Sequence, residues 1–532
     1  MATYTSSPGL PDPRIDSTAQ DNPDPSAEKK WRTGDYAWRL VLIVLAVVLI
    51  RLAVLVFTPL DLFYDEAQYW FWGQNLALGY FSKPPLIAWI IAGTTYLCGD
   101  TEACVRASAP LFHGLTTLLI FGLGASIYPA RTAFLAALGY LFAIGVAASS
   151  LLISTDVPLL TCWVIALWAF TRYVQNPGYT AAIIMGLAIA VGLNAKYAMV
   201  YFPLCVLLYL VFVSCNRNLL SHVSLWLGLI IGMLGFVPNL IWNMEHDFIT
   251  FAHTGENITG IGSGLSLSVD PLSFLEFFGS QFGVAGPILF AAFLWIIIGN
   301  WRSRARYADT SLLFFCLPIL LILGAQAFQA SANYNWAATA FPALIIVTTA
   351  ILIEKGCIAW VKANLYVCIA CSILLAAASL AVLAVRPDNP LVAQTNLEDM
   401  FGWAEHAEVL DQRLDRLEPD VIVTVGRRYS AGFAYYLRHR DEPQRALHRG
   451  GTTPRNHFEF VAPWSGPAQG ERAVIISPGN VAPVPGARLV AVVEADDGTA
   501  RFRSNSYLFL VVGPEPVVEE PIETETEAPV ES

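Results

Sequence analysis

Residues 61–85 read DLFYDEAQYWFWGQNLALGYFSKPP. Asp65 and Glu66 stand side by side, an aromatic run follows, and Lys83 precedes two prolines. A carboxylate that is ionised at working pH can take a proton from a hydroxyl. A second carboxylate can position a ligand or share a divalent cation, because hard cations favour oxygen donors. A lysine can hold a phosphate as a point charge. Adjacent helical residues point about 100° apart, so the two acids need not face one space. The plainer reading of an acid pair is a helix start. The stretch directly follows the first long apolar run, however, and an ionisable group beside hydrocarbon is costly enough to suggest a role.

Other residues join this set. Asp156, in SSLLISTDVPLL, reads as a helix start, since Thr155 precedes it and a proline follows. It is also the candidate second carboxylate, and Glu66 with Asp156 could hold Mg or Mn. Lys196 in GLNAKYAM and Arg106 in ACVRAS are further cations for a phosphate, the alternative for lysine being snorkelling to lipid headgroups. Asn335 and Trp336 in NYNWAA suit a sugar, as does Tyr64 beside Asp65. An interfacial aromatic belt is the competing explanation for the ring residues. His246 and His253 lie in a polar stretch, 244–273, that is either a cover over a cavity or a linker.

The elements that position these residues are set by hydropathy. The chain has 532 residues, of which only 14% are charged, against about 25% in soluble domains. Its mean hydropathy is +0.53. A spanning helix needs about 20 mostly apolar residues. Such runs occur near 38–58, 104–127, 131–152, 157–174, 179–195, 197–215, 222–243, 280–299, 311–329, 336–354 and 364–385. The segment 84–98 is short and opens on two prolines. If it does not span, the basic connections fall on one side: Arg131, Arg172, Arg217, Arg302, Arg304, Arg306, Lys355 and Lys362. Asp65, Lys83, Asp156 and Lys196 then share the other side. By the positive-inside rule that second side is the outer one. The expectation is about eleven spans plus interfacial helices, with the 66–78 aromatics anchoring a helix flat on the outer surface.

Residues 1–35 are rich in Pro, Ser and Asp and read as a disordered cytoplasmic tail. Lys29, Lys30, Arg32 and Arg39 precede an apolar run too long for a cleaved signal peptide. After Arg386 the composition turns soluble. The run 402–417 has helical spacing, 421–425, 473–477, 489–495 and 506–512 read as strands, and GFAYYL follows the first of them as a helix. Residues 386–513 therefore read as a small outer α/β domain, and 514–532 as an acidic disordered tail. All nine cysteines lie between Cys98 and Cys371. Cys98 and Cys104 could pair, but the favoured reading is small apolar filler. A net charge of −11 argues against a nucleic-acid partner.

The ordered series DEAQYW, KPPLIAW, GDTEACVR, STDVPLL, GLNAKY, PNLIWNMEHDF and NYNWAA resembles the polyprenyl-phosphate-dependent glycosyltransferases of the GT-C fold. Within them it is most similar to the bacterial branch of the protein O-mannosyltransferase superfamily, which includes lipid A aminoarabinose transferases and rhizobial lipopolysaccharide galacturonosyltransferases. The resemblance covers residues 38–385. It implies a GT-C membrane domain over 36–385, with Asp65 as catalytic base, Glu66 as its acidic neighbour, Lys83 and Lys196 on the donor phosphate, and Asp156 as a second outer-loop acid. It further implies an inner-membrane enzyme whose periplasmic site transfers a sugar, with inversion, from polyprenyl phosphate to a lipid or glycan acceptor. The chain departs from the eukaryotic protein mannosyltransferases by lacking an inserted sugar-binding domain, which disfavours a protein acceptor. Two alternatives are a flippase for lipid-linked sugars, expected to carry mid-span ionisable residues and repeat symmetry, and a non-catalytic membrane binding protein, in which the carboxylates would be dispensable.

Overall fold

The computed structural model describes residues 33–259, 270–299, 307–329, 332–381, 399–448, 453–494 and 505–514. The expected tails, the basic cluster at 302–306 and part of the 244–273 stretch lie outside them. Seven helices are long and apolar enough to cross a membrane: Thr33–Phe57, Glu102–Ala125, Asp156–Gln175, Val223–Glu245, Asp309–Gln329, Tyr334–Glu354 and Ile358–Ala381. Two bent pairs, Tyr197–Phe212 with Ser214–Ser221 and Pro271–Ala285 with Pro287–Ile298, raise this to nine if each pair counts as one span. Both pairs turn by 119°. In the second, Pro287 opens the new helix, where its missing N–H costs nothing.

The two remaining expected spans fall on Ala130–Leu141 and Tyr179–Ala195, shorter helices of 12 and 17 residues. Ala130–Leu141 is largely buried in the bundle, whereas Tyr179–Ala195 buries one face and leaves Ile184, Leu187 and Val191 exposed on the other. Gly186 and Gly228 allow Tyr179–Ala195 to approach Val223–Leu234 almost backbone to backbone. Leu86–Cys98, the doubtful segment, is a separate apolar helix of 13 residues. At 1.5 Å per residue this is short of a bilayer.

The soluble part is an α/β domain on one six-stranded sheet. In chain order the strands are β1 Val421–Thr424, β2 Gln444–Leu447, β3 Pro463–Trp464, β4 Arg472–Ser477, β5 Arg488–Val493 and β6 Ser506–Val512. Their spatial order is β3-β2-β1-β4-β6-β5. β1 pairs in parallel with β2 and β4, and β2 with β3, whereas β6 runs antiparallel to β4 and β5. β1 is buried along its whole length, as a central parallel strand covered on both faces must be. β2, β3 and the short helix His457–Val461 carry little hydropathy contrast, and the sequence did not announce them.

One hydrophobic cluster joins this domain to the end of the bundle. It combines Trp403, Leu410, Phe433, Ile422, Val474 and Leu508 with Ala67, Trp70, Trp72, Ile87, Val105 and Ile153. The aromatic run is therefore not a lipid anchor. Tyr69, Trp70 and Trp72 are 3%, 5% and 1% exposed. The Trp70 Nε1–H donates to Asp100 Oδ1 at 2.6 Å, and its ring meets Tyr435 edge-on at 4.9 Å. Trp72 stacks on Tyr80 at 4.6 Å. Each such ring contributes roughly 4–6 kcal/mol of apolar burial as an upper bound. A helix expected on an open surface is instead roofed by the C-terminal domain.

Cys98 and Cys104 form a disulfide, with Cα atoms 5.9 Å apart. This corrects the filler reading. The chain reverses after Leu86–Cys98, and Thr101 caps Glu102–Arg106, accepting the Cys104 N–H, so the two thiols meet. The loop they close presents the Asp100 carbonyl to the Tyr435 hydroxyl at 2.7 Å and to Arg438 Nη2 at 3.0 Å.

A second link is Asp61, a buried carboxylate whose Oδ2 accepts the Trp403 N–H at 2.7 Å. It caps the helix Trp403–Leu417 from outside that helix. Burial pushes its carboxyl up to about 7 from 3.8, and the Trp403 N–H only partly opposes this. A raised carboxyl value means the docked state favours the proton. Its contribution is complete below the ordinary value and is lost as pH rises through about 7. Thermal unfolding of the purified protein should therefore fall in midpoint between about pH 4 and pH 7, and Asp61→Asn should flatten that fall.

Candidate active site

Asp65 and Glu66 open the helix Tyr64–Gly73 and point to different places. Glu66 turns inward and is 1% exposed. Its carboxylate accepts from Arg106 Nε at 3.0 Å and Nη2 at 2.8 Å, from the Ile153 N–H at 2.9 Å and from the Phe63 N–H at 3.0 Å. Arg106 also donates to the carbonyls of Leu60, at 2.8 Å, and Asp61, at 2.6 Å. Glu66, expected as a metal ligand, and Arg106, expected as a phosphate ligand, are here committed to each other. A charge this deeply buried persists only when its partners are all supplied, and here each supplies the other.

Asp65 faces the opposite way and is half-exposed. Its Oδ1 is ion-paired with Arg427 of the C-terminal domain. Oδ2 has no hydrogen-bond partner among the described residues. Tyr64 lies under the same guanidinium, 5.1 Å from ring centroid to Cζ.

Asp156 is the first residue of Asp156–Gln175, but its side chain caps nothing. Oδ1 accepts from Lys196 Nζ and Oδ2 from Asn335 Nδ2, both at 2.8 Å. Lys196 stands in extended backbone at the break after Tyr179–Ala195, where a cation suits the negative helix end. A cavity of about 190 Å³ opens beside Asp156 and Asn335 and runs inward past Tyr334, Leu160 and Val284 to His113.

Lys83 is within electrostatic reach of these groups. Burial lowers its pKa from the ordinary lysine value and Lys196 adds to this, while Asp65 and Asp156 pull it back up. Its loop is held by backbone contacts. Thr250 Oγ1 donates to the Tyr80 carbonyl at 2.8 Å and Asn239 Nδ2 to the Leu78 carbonyl at 3.1 Å. Gly79 is required here, since a Cβ would come within 2.7 Å of both Asn239 and Trp242. Asn239 Oδ1 also accepts the Tyr197 hydroxyl at 2.8 Å, so one amide steadies both lysine-bearing segments. These contacts make Ile249–Thr259 and Val237–Glu245 part of the wall of the site.

The remaining candidates are held by aromatic and core packing. His253 packs against Phe81 at 5.2 Å, His246 stacks on Trp242 at 4.1 Å, and Trp336 packs against the bundle core. Tyr69, buried behind Asp65, senses Asp65, Arg427 and Asp156, and burial drives its phenol well above the ordinary value.

Sequence reasoning missed Arg427 and Gln68, which Arg427 Nε reaches at 2.8 Å. The one available signal was an Arg-Arg pair opening a helix straight after a strand. No group of three or more His, Cys, Asp or Glu residues suited to a metal ion occurs among the described residues. The two acids expected to share a cation are otherwise engaged, Glu66 with Arg106 and Asp156 with Lys196 and Asn335.

In fold the chain is similar to membrane proteins of the GT-C architecture, and in sequence it is similar to envelope glycosyltransferases. Residues 82–242 match the dolichyl-phosphate-mannose-protein mannosyltransferase family. The chain is 35% identical over 316 residues to the lipid A galacturonosyltransferase RgtD of Rhizobium johnstonii, a match covering 59% of this chain and 66% of that one. It is 25% identical to the lipopolysaccharide core galacturonosyltransferase RgtB of the same organism, covering 54% and 60%. The matched segment thus spans just under two thirds of each curated relative. In fold it is similar to ArnT from Cupriavidus metallidurans, at 16% identity and a TM-score of 0.59 over 89% of this chain and 98% of that one. The undecaprenyl phosphate-bound ArnT structure gives a TM-score of 0.58, again at 16% identity, over 88% and 97%.

Proposed function

We propose that this protein transfers a sugar from a polyprenyl phosphate to a lipid or glycan acceptor of the cell envelope. The observation that carries this reading is the Asp156–Lys196 ion pair beside the cavity that Asn335 lines, with Lys83 within electrostatic reach of Asp65, Asp156 and Lys196. Such a site offers a base and an anion cradle in one place. Asp65 Oδ2 takes the proton from the acceptor hydroxyl, and the acceptor oxygen attacks the anomeric carbon from the face opposite the phosphate. The bond from that carbon to the phosphate oxygen breaks, and the lipid phosphate leaves as an anion held by Lys83 and Lys196. Inversion follows from the single displacement.

The site sits, on this reading, at the periplasmic face of the inner membrane. The positive-inside pattern supports this, as does the Cys98–Cys104 disulfide, which suits an oxidising compartment. No nucleotide sugar is expected there, so a lipid-linked donor fits. The similarity to RgtD makes galacturonate and lipid A the first sugar and acceptor to try.

The test is transfer by the purified, reconstituted full chain, supplied either with a polyprenyl-phosphate sugar or with the matching nucleotide sugar. Transfer from the lipid-linked donor alone is expected. Movement of the donor across the bilayer without any transfer would overturn the reading. In the same assay Lys83→Ala should raise donor KM by about 10- to 100-fold, the worth of one charged hydrogen bond. An unchanged KM would remove Lys83 from the phosphate site.

A further inference from the structure

The C-terminal domain meets the site at one point. The sheet order reverses at β1: the chain continues through the helix Arg427–Tyr436 to β2 on one side, and β4 lies on the other. In open α/β sheets the crevice at the carboxyl end of such a strand is where function collects. Here Thr424 ends β1, Gly426 turns the chain with φ +85, a value that disfavours any side chain, and Arg427 opens the helix. That helix packs directly on Tyr64–Gly73.

Arg427 reaches three residues of that neighbour at once. Nη2 is paired with Asp65 Oδ1, Nε donates to Gln68 Oε1 at 2.8 Å, and the guanidinium covers the Tyr64 ring. Gln68 is 1% exposed and cannot move away. A planar fork held by Gln68 fixes the direction from which its other nitrogen meets the carboxylate, in a way a lysine cannot. It occupies Oδ1 and leaves Oδ2 as the free oxygen.

We propose that Arg427 is a positioning residue of the transfer reaction. It aims Asp65 so that Oδ2 alone receives the acceptor proton, and through it the C-terminal domain completes the site rather than merely covering it. This rests on the proposed function, because it presupposes that Asp65 is the base.

The test uses the full-length protein with a lipid-linked donor and a lipid acceptor. Arg427→Ala should lower kcat by about 10²-fold, the cost of a slightly misdirected catalytic group, while donor KM stays within about threefold. Guanidinium ion added at millimolar concentration should restore part of the lost rate to Arg427→Ala and none to Asp65→Asn. Arg427→Lys should fall between wild type and Arg427→Ala. An unchanged kcat in Arg427→Ala would overturn the proposal. So would a loss that guanidinium does not relieve and that tracks a lowered unfolding temperature, since that describes an anchor only. If wild type transfers no sugar, the proposed function fails and this inference with it. If wild type transfers and Arg427→Ala equals it, only the inference fails.

Discussion

Asp65→Asn should leave the protein folded and inserted and slow sugar transfer by about 10²- to 10⁴-fold, the range that general-base catalysis contributes. The substitution is nearly isosteric. Asparagine keeps an oxygen for Arg427 Nη2, so the contact between the helix Tyr64–Gly73 and the C-terminal domain can persist. What is lost is the basic second oxygen, since an amide nitrogen cannot accept a proton at neutral pH. The measurement is transfer of labelled sugar in membranes holding matched amounts of wild-type and variant protein. The sugar-charged lipid should accumulate as the product disappears. Full activity in a folded Asp65→Asn protein would eliminate the base assignment. Loss of the protein itself would shift Asp65 to a structural role, and the unfolding temperature separates these outcomes.

Arg106→Ala should produce the largest stability change in the chain, about 3–5 kcal/mol, because it strands the Glu66 carboxylate in an interior that is nearly closed to water. It also removes the donors held by the Leu60 and Asp61 carbonyls. Those carbonyls lie on the segment leading into the Asp65 helix, so the site should loosen with the fold. The checks are protein abundance in membranes and the unfolding midpoint in detergent. Replacing both partners with leucine should recover a good part of the loss, since an apolar pair avoids the stranded charge. A stable Arg106→Ala protein whose only defect is a raised donor KM would reinstate Arg106 as a phosphate ligand.

These two expectations turn on neighbours in the chain that differ in everything but sequence position. Asp65 and Glu66 are both acids at a helix start beside a membrane segment. Nothing local distinguishes them. Residues 100° apart on a helix face different partners, and Arg106, Ile153 and Arg427 lie 40, 87 and 362 residues from the acids they bind. Which acid became buried scaffold and which faces the site was decided by those distant partners. The same holds for Cys98 and Cys104, whose pairing needed the chain reversal between them.

The sequence by itself determined the parts that depend on local hydropathy and residue type. Apolar runs of about 20 residues must become helices, because hydrocarbon offers no partner for an open backbone. The strands Arg472–Ser477 and Ser506–Val512 were legible for a related reason, as short apolar runs bounded by turn residues. The inventory of chemistry was legible too: Asp65, Lys83, Asp156, Lys196 and Asn335 were each marked by their charge or polarity at the edge of an apolar run. Only the docked structure showed that the aromatic run 69–72 is a buried floor for the C-terminal domain, that Glu66 and Arg106 neutralise each other, and that Arg427 pairs with Asp65. Burial and ion pairing between segments tens to hundreds of residues apart depend on how helices and sheet dock, and docking is a property of matched surfaces that no local pattern contains.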